Sequence, residues 1–290
     1  RDERWARVAW AFLAEPRETS VVAALGTFGA VEALARFRAG HLLVRPGALE
    51  RLPLLDVDDL AHAADRQGVH VVVPGDEGWP LGVDRLDEPP YALFVRGYPD
   101  LDTLVERSVA VVGSRAATDY GMRTAADLAE GLGARGFTII SGAAYGIDSA
   151  AHRAALASGG PTVAVLACGA DRFYPAAHRS MLNEIARTGA VVSEVPVGAA
   201  PYRSRFLARN LLIAIDTSRS MMADDLPPNR LARARLAAKD IILSLPDDRI
   251  GLIAFAGKPF LQAPLTVDHE AVLESIDQLD TEIIPRGGTN

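Results

Sequence analysis

Two short loops carry the residue types best suited to holding a ligand. Gly113-Ser114-Arg115 closes the apolar run Ser108-Val109-Ala110-Val111-Val112, and Ser141-Gly142-Ala143-Ala144-Tyr145-Gly146-Ile147-Asp148 follows the run that starts at Phe137. In an open parallel sheet, ligands bind at the carboxyl ends of the strands. There Gly113 lets a ligand approach the backbone, Ser114 donates a hydroxyl, and Arg115 can clamp a phosphate with two parallel hydrogen bonds. The small-residue loop from Ser141 and Gly142 to Gly146 opens a helix, so backbone N–H groups and the helix dipole add a second anion site. Neither loop is G-x-G-x-x-G or the lysine-bearing Walker pattern. The chemistry read here is phosphate recognition, with no strong case for hydride or phosphoryl transfer. Asp148 suits the start of a helix as a cap. His152 lies one turn further on, and the two form either an acid–base pair or a helix-end hydrogen bond. No nucleophile or metal-ligand set completes a catalytic site around them. Tyr145 and Tyr174 are either base-stacking rings, as single-strand binders require, or half-buried structure. Tyr202, Arg203, Arg205, Phe206 and Arg209 put three cations and two aromatics within eight positions. That mixture suits a single-stranded nucleic-acid backbone, and equally a solvated loop.

The elements that must position these loops follow from periodicity. Residues 1–65 read as short helices, with Trp5, Val8, Ala9, Phe12 and Leu13 at helical spacing. Val21 to Phe37 reads as helix, glycine turn at Gly26 and Gly29, helix. Such a hairpin either offers backbone N–H groups to phosphate or is a plain αα-hairpin. Residues 66–107 form a connector with two strands, His70 to Val73 and Tyr91 to Val95, punctuated by Trp79-Pro80 and Pro89-Pro90. From 108 the pattern alternates: a buried parallel-type strand over 108–112, helix 118–135, strand 137–140, helix 147–157, strand 163–167, helix 176–187 and strand 190–193. The alternation predicts an α/β fold with a parallel sheet and right-handed crossovers. A second α/β run has strands at 211–215, 250–256 and 260–263 and helices at 230–245 and 269–279.

Composition bounds the function. The 290 residues are 49% hydrophobic and 23% charged, which excludes a disordered or low-complexity chain. The net charge of −7 argues against a generally basic nucleic-acid coat and leaves room for a local basic groove. Lysine occurs only at Lys239 and Lys258, so arginine carries the cationic chemistry elsewhere. The single cysteine, Cys168, excludes an intramolecular disulfide and fits a reducing compartment. No uninterrupted apolar run reaches the length of a membrane span, no signal peptide opens the chain, and its first residue is Arg1, as if the true start were missing. The expectation is a cytoplasmic protein with no membrane partner.

Residues 1–210 resemble the DNA-processing DprA (Smf) family. The matching runs are Val-Ala-Val-Val-Gly-Ser-Arg at 109–115, Thr118-Asp119-Tyr120-Gly121, Ser141-Gly142 through Gly146-Ile147-Asp148, and Ala151-His152 through Leu156. Thr162 to Leu166, Gly169 with Asp171, Tyr174-Pro175, Ser193-Glu194 and Phe206 with Arg209-Asn210 continue the match. The upstream glycine hairpin, Pro74-Gly75-Asp76 and Val95-Arg96-Gly97 are similar too. The resemblance implies an extended Rossmann-like sheet and a non-enzymatic role without a cofactor. It implies binding of single-stranded DNA during natural transformation, loading of the RecA recombinase, and action as a homodimer. The DNA backbone would then be held by residues 113–115 and 141–148, with Arg203, Arg205, Arg209 and Asn210 beside them. One departure is Tyr145, where many members carry Arg. Much of the family's dimerising surface is expected beyond residue 210, where the family pattern stops.

Residues 211–290 resemble instead a von Willebrand factor A domain of the bacterial Bat type. Asp216-Thr217-Ser218-Arg219-Ser220 matches D-x-S-x-S, and Pro227-Pro228-Asn229-Arg230, Asp248 to Ile253, Ala263 to Thr266 and Pro285 to Thr289 continue the match. The resemblance implies a Mg²⁺ site made by Asp216, Ser218 and Ser220, with Thr289 from a second loop. Hard oxygen donors suit Mg²⁺, and read locally the same motif is a helix cap. The expected domains are therefore a helical, helix-hairpin-helix-like region at 1–65, a Rossmann-like domain at 66–210 and a partial von Willebrand unit at 211–290. With no linker between them, the chain reads as a recombined, designed or mis-assembled chimera with uncovered sheet edges. One expectation is that strand 211–215 enters the first sheet. The first reading is single-stranded DNA binding. The rivals are a Mg²⁺-dependent protein-interaction module and a nucleotide-binding enzyme using Asp148 and His152.

Overall fold

The structure is a computed structural model that describes residues 2–201, 210–225, 227–243, 249–256, 259–266 and 268–281. The chain divides into two units, Arg1–Tyr202 and Arg203–Asn290, whereas the change of sequence pattern falls at 210.

In the first unit, α1 (Asp2–Leu13) packs against α2 (Thr19–Arg38). Trp10 is fully buried, and its indole sits 5.5 Å from the Phe37 ring. Gly29 breaks α2 with φ 76° and ψ 165°, a conformation that only glycine adopts cheaply. The N–H freed at Ala30 donates to the Glu3 carboxylate at 3.1 Å, and Trp10 Nε1 donates to the Ala30 carbonyl at 3.2 Å. The Ala30 N–H at this turn is thus met from within the chain. Among the described residues, α2 alone has the length and composition of a membrane span. Its break at Gly29 and its buried Val21, Ala24, Ala30, Ala33, Leu34 and Phe37 fit a core helix. Two further helices, α3 (Pro46–Arg51) and α4 (Val57–Arg66), complete the helical region, and the Asp56 side chain caps α4 by accepting from Asp59 N–H.

The sheet of this unit has six strands in the order β1-β2-β6-β5-β4-β3. They are β1 (Val69–Val72), β2 (Leu93–Gly97), β3 (Ser108–Ala110), β4 (Thr138–Ser141), β5 (Thr162–Leu166) and β6 (Ala190–Ser193). Strands β3 to β6 are parallel, as the alternating pattern predicts. Of the two connector strands, β2 pairs antiparallel with β6 and β1 pairs antiparallel with β2, so the sheet is mixed. Helices α6 (Asp119–Gly133), α7 (Ile147–Ala157) and α8 (Arg179–Thr188) join the parallel strands, and a short α5 (Leu101–Val105) precedes β3. Side chains alternate between the faces of the strands. Phe94, Ala164 and Val191 face Leu182 and Ile185 of α8, while Val95, Val163 and Val192 face Trp79 and Leu101.

The run 108–112 reads as a strand of the buried parallel type, but the structure places β3 at the edge of the sheet. Ala110 is exposed and Val109 half-buried. An apolar run records that a strand packs, not that it has neighbours on both sides. On the same side of the sheet as Val163, Val165 of β5 is 42% exposed.

Tyr91 ties the helical region to the sheet. Its hydroxyl accepts from Glu18 N–H at 3.0 Å and donates to the Glu15 carbonyl at 3.1 Å. Burial holds the phenol well above its usual pKa, so it stays a donor. Arg4 adds an ion pair to Asp76 at 2.6 Å.

The second unit has its own three-stranded sheet, β7 (Asn210–Asp216), β8 (Arg249–Phe255) and β9 (Pro259–Thr266), with β7–β8 parallel and β8–β9 antiparallel. The strand at 211–215 therefore pairs with β8 and does not enter the first sheet. The seven-residue register from Asn210↔Arg249 to Asp216↔Phe255 gives it a full partner in its own unit. Helices α9 (Arg230–Leu243) and α10 (His269–Asp277) close a core of Ile215, Leu231, Ile242, Ile250, Leu252 and Ile276.

Candidate nucleic-acid interface

The loops that follow β3, β4, β5 and β6 all leave the carboxyl ends of parallel strands and form one rim. Two of them are pressed together. Gly113 faces the first residue of α7: a Cβ there would lie 2.7 Å from Ile147 Cγ1. Gly146, the N-cap of α7, has φ 75°, and a Cβ would lie 2.2 Å from the Ser114 carbonyl oxygen and 2.8 Å from that of Arg115. Ile147 N–H donates to the Ser114 carbonyl at 3.2 Å. Only glycine lets these backbones meet. The contact leaves Gly113, Ser114 and Arg115 exposed at the rim and Gly142 and Gly146 half-buried behind them.

Asp148 and Ser141 sit in the same loops but face inward. Asp148 is 3% exposed; one carboxylate oxygen accepts from Gly113 N–H at 3.4 Å and the other from Ala144 N–H at 3.3 Å. It braces the two loops, and a buried carboxylate is the wrong charge to touch a phosphate. Ser141 is 2% exposed and donates its hydroxyl to the Val111 carbonyl at 2.6 Å, a tie between β4 and the end of β3. Both positions shape the site instead of lining it.

His152 is fully buried, and its Nδ1 lies 2.7 Å from Thr162 Oγ1. Thr162 spends its hydroxyl proton on the Ile139 carbonyl at 2.7 Å, so Nδ1 carries the hydrogen and donates it. Nε2 has no hydrogen-bond partner among the described residues. Burial lowers the His152 pKa to about 4, against a smaller raising effect of the Ser141 backbone, so the ring is neutral at pH 7. The acid–base pair considered from the spacing does not form: Asp148 holds backbone N–H groups while His152 holds Thr162.

His178 carries no signal in the sequence, yet it sews the rim together. It lies in the turn ahead of α8, where its N–H donates to the Pro175 carbonyl at 2.9 Å. Its Nδ1 donates to the carbonyl of Ala143, 2.9 Å away, in the neighbouring loop. Ala143 has φ 55°, a left-handed conformation uncommon for a residue with a Cβ. Against the His178 ring rests Tyr145, centroid to centroid 4.9 Å at 65°, with half of its surface open. Tyr174 is 43% exposed on the next loop. The Arg96 and Arg179 guanidiniums each lie within 5.0 Å of the Phe173 centroid. At the end of β6, burial raises the Glu194 carboxyl above its usual range, opposed by Arg17.

Tyr202, Arg203, Arg205, Phe206 and Arg209 lie outside the described residues, and Asn210 opens β7 in the second unit. There Asp216 accepts from Ser218 N–H at 2.7 Å, and the Ser218 and Ser220 hydroxyls lie 2.9 Å apart. These are hard oxygen donors on one loop at a strand end, a set that fits Mg²⁺. Thr289 lies outside the described residues, and among these no cluster of three His, Cys, Asp or Glu could hold a metal.

Comparison with known proteins decides the family. Residues 70–223, more than half of the chain, match the family model for DNA recombination-mediator protein A. The chain belongs to the DprA/Smf family. A DprA protein of Mycobacterium tuberculosis is 43% identical over 224 residues, covering 71% of this chain and 57% of the relative. The X-ray structure of DprA from Streptococcus pneumoniae superposes with a TM-score of 0.55 at 29% identity, over 69% of each chain. The chain spans about half the length of the DprA relatives it matches. Residues 211–290 match the von Willebrand factor type A domain model. A UPF0353 protein of Mycolicibacterium paratuberculosis is 38% identical over 86 residues, 28% of this chain and 26% of that relative. The two family matches overlap at 211–223.

Proposed function

We propose that the first unit binds single-stranded DNA by its phosphates along the strand-end rim, as part of DNA processing in the cytoplasm during transformation. On this reading the protein is a non-catalytic carrier that hands the strand to a RecA-type recombinase and acts as a homodimer. The observation that carries the reading is the glycine contact of Gly113 and Gly146. It fixes two strand-end loops side by side and turns Ser114 and Arg115 outward. Membership of the DprA family supports the choice of DNA over a mononucleotide.

The test is fluorescence anisotropy of a labelled oligothymidylate with wild type and Arg115→Ala at two salt concentrations. Each phosphate contact on a single strand adds about 0.7 to the salt slope through counterion release. Wild type should bind with an affinity that falls with salt, and Arg115→Ala should bind more weakly with a shallower slope. Equal affinities and slopes would refute the assignment of Arg115.

The approach of the Ser218 and Ser220 hydroxyls beside Asp216 favours a second reading for the second unit, a Mg²⁺-dependent protein-interaction module. A ligand that binds only the folded state raises stability by mass action. Mg²⁺ should therefore raise the unfolding temperature of the second unit, and Asp216→Ala should abolish the rise. No shift in the wild type would remove this reading.

A further inference from the structure

We infer that Tyr145 is a base-stacking platform, so that the rim reads the presence of unpaired bases as well as the charge of phosphates. The inference rests on the proposed DNA binding and names a residue that phosphate chemistry alone does not require. Tyr145 stands between Ala144, whose N–H is held by the Asp148 carboxylate, and Gly146, whose backbone is pressed on the Ser114 and Arg115 carbonyls. Its main chain is therefore fixed on both sides, next to the loop that carries Arg115. Its ring is fixed too. The His178 imidazole lies 4.9 Å away at 65°, and that imidazole is itself tied to the Ala143 carbonyl at 2.9 Å. Its outer side stays open: Tyr145 is 50% exposed, while its backing residue His178 is 4% exposed.

A rigid aromatic, half open and beside an arginine loop, suits the flat face of a nucleobase. Stacking needs no particular base, because every base has a π-face. It does need a base that is not already stacked in a duplex. The platform thus gives preference for single strands over duplex without any base-specific contact.

The experiment uses the full chain and two labelled oligonucleotides of equal length. One is oligothymidylate; the other is an abasic strand that carries the same phosphates and no bases. Wild type, Tyr145→Phe and Tyr145→Leu are titrated against both by anisotropy, with tryptophan fluorescence to confirm folding. Wild type and Tyr145→Phe should prefer the base-bearing strand. Tyr145→Leu keeps apolar bulk against His178 but has no π-face. It should lose about tenfold of that preference, the usual scale for one stacked base, with the salt slope unchanged. A fall in affinity that is equal for the two strands would mean a structural role and would overturn the inference. So would equal binding of both strands by wild type, although the phosphate reading would then stand. Failure of folded wild type to bind either strand would overturn both.

Discussion

Replacing His152 with leucine should reverse the order of stability of variant and wild type between pH 7 and pH 4. The imidazole is fully buried, and burial lowers its pKa from 6.5 to about 4. That depression corresponds to about 3 kcal/mol, at about 1.4 kcal/mol per pKa unit. The folded state binds the proton less readily than the unfolded chain. The stabilisation is therefore present above the unfolded value of 6.5 and is lost as pH falls through the folded value of about 4. At pH 7 the variant lacks the bond from Nδ1 to Thr162, a cost of about 1 kcal/mol. Thr162 still donates to the Ile139 carbonyl, so no buried donor is stranded. The wild type should thus be more stable at pH 7 and less stable at pH 4, with the curves crossing between about pH 5 and 6. The assay is urea unfolding followed by tryptophan fluorescence at steps of pH. All three tryptophans, Trp5, Trp10 and Trp79, lie in the first unit, so the signal reports that unit alone. A constant difference between the two proteins from pH 7 to pH 4 would refute the reasoning, because it would mean that His152 does not titrate from a buried, neutral form.

Three further outcomes follow from the same geometry. Tyr91→Phe should cost about 1–3 kcal/mol, since it strands the buried Glu18 N–H; a urea midpoint equal to wild type would show that the tie is not holding the helical region. Glu194→Gln should gain stability relative to wild type as pH rises from about 4 towards neutrality. A carboxyl whose folded pKa is raised stabilises the protonated form and loses that contribution as it ionises; unfolding midpoints at pH 4 and pH 7 decide it, and a difference that stays flat would count against a buried, raised carboxyl. Gly146→Ala should cost about 1–3 kcal/mol through its left-handed φ and the collision with the Ser114 carbonyl. Anisotropy should show a loss of DNA binding in the fraction that remains folded, and unchanged binding would separate the glycine contact from the site.

What the sequence disclosed depended on how local the cause was. Helix α7 begins after Gly146 and ends before Ser158-Gly159-Gly160, and strand β6 is a short apolar run after Gly189; both occupy the residues that their pattern marks. The parallel direction of β3 to β6 follows from the strand–helix alternation, while their order in the sheet does not. The exposure of β3 was not legible, because Val109 to Val112 look the same whether or not another strand lies outside them. Ser141 and Asp148 look like ligand groups, being polar residues at a strand end. Their inward direction depends on Val111, Gly113 and Ala144, and only the three-dimensional fold brings these into reach. His178 escaped notice for the same reason: its partner Ala143 is 35 positions away. The von Willebrand motif was legible as a pattern, while the pairing of β7 with β8 needed the whole second unit.

The glycine hairpin of α2 has a consequence for what the helical region can offer an anion. A break in a helix exposes a backbone donor, and here Glu3 of α1 supplies the negative charge that a phosphate would otherwise bring. The hairpin carries its own counterion, covalently attached and at an effective concentration that no oligonucleotide in solution matches. On the proposed DNA reading, the Ala30 N–H is therefore not a free donor for a phosphate.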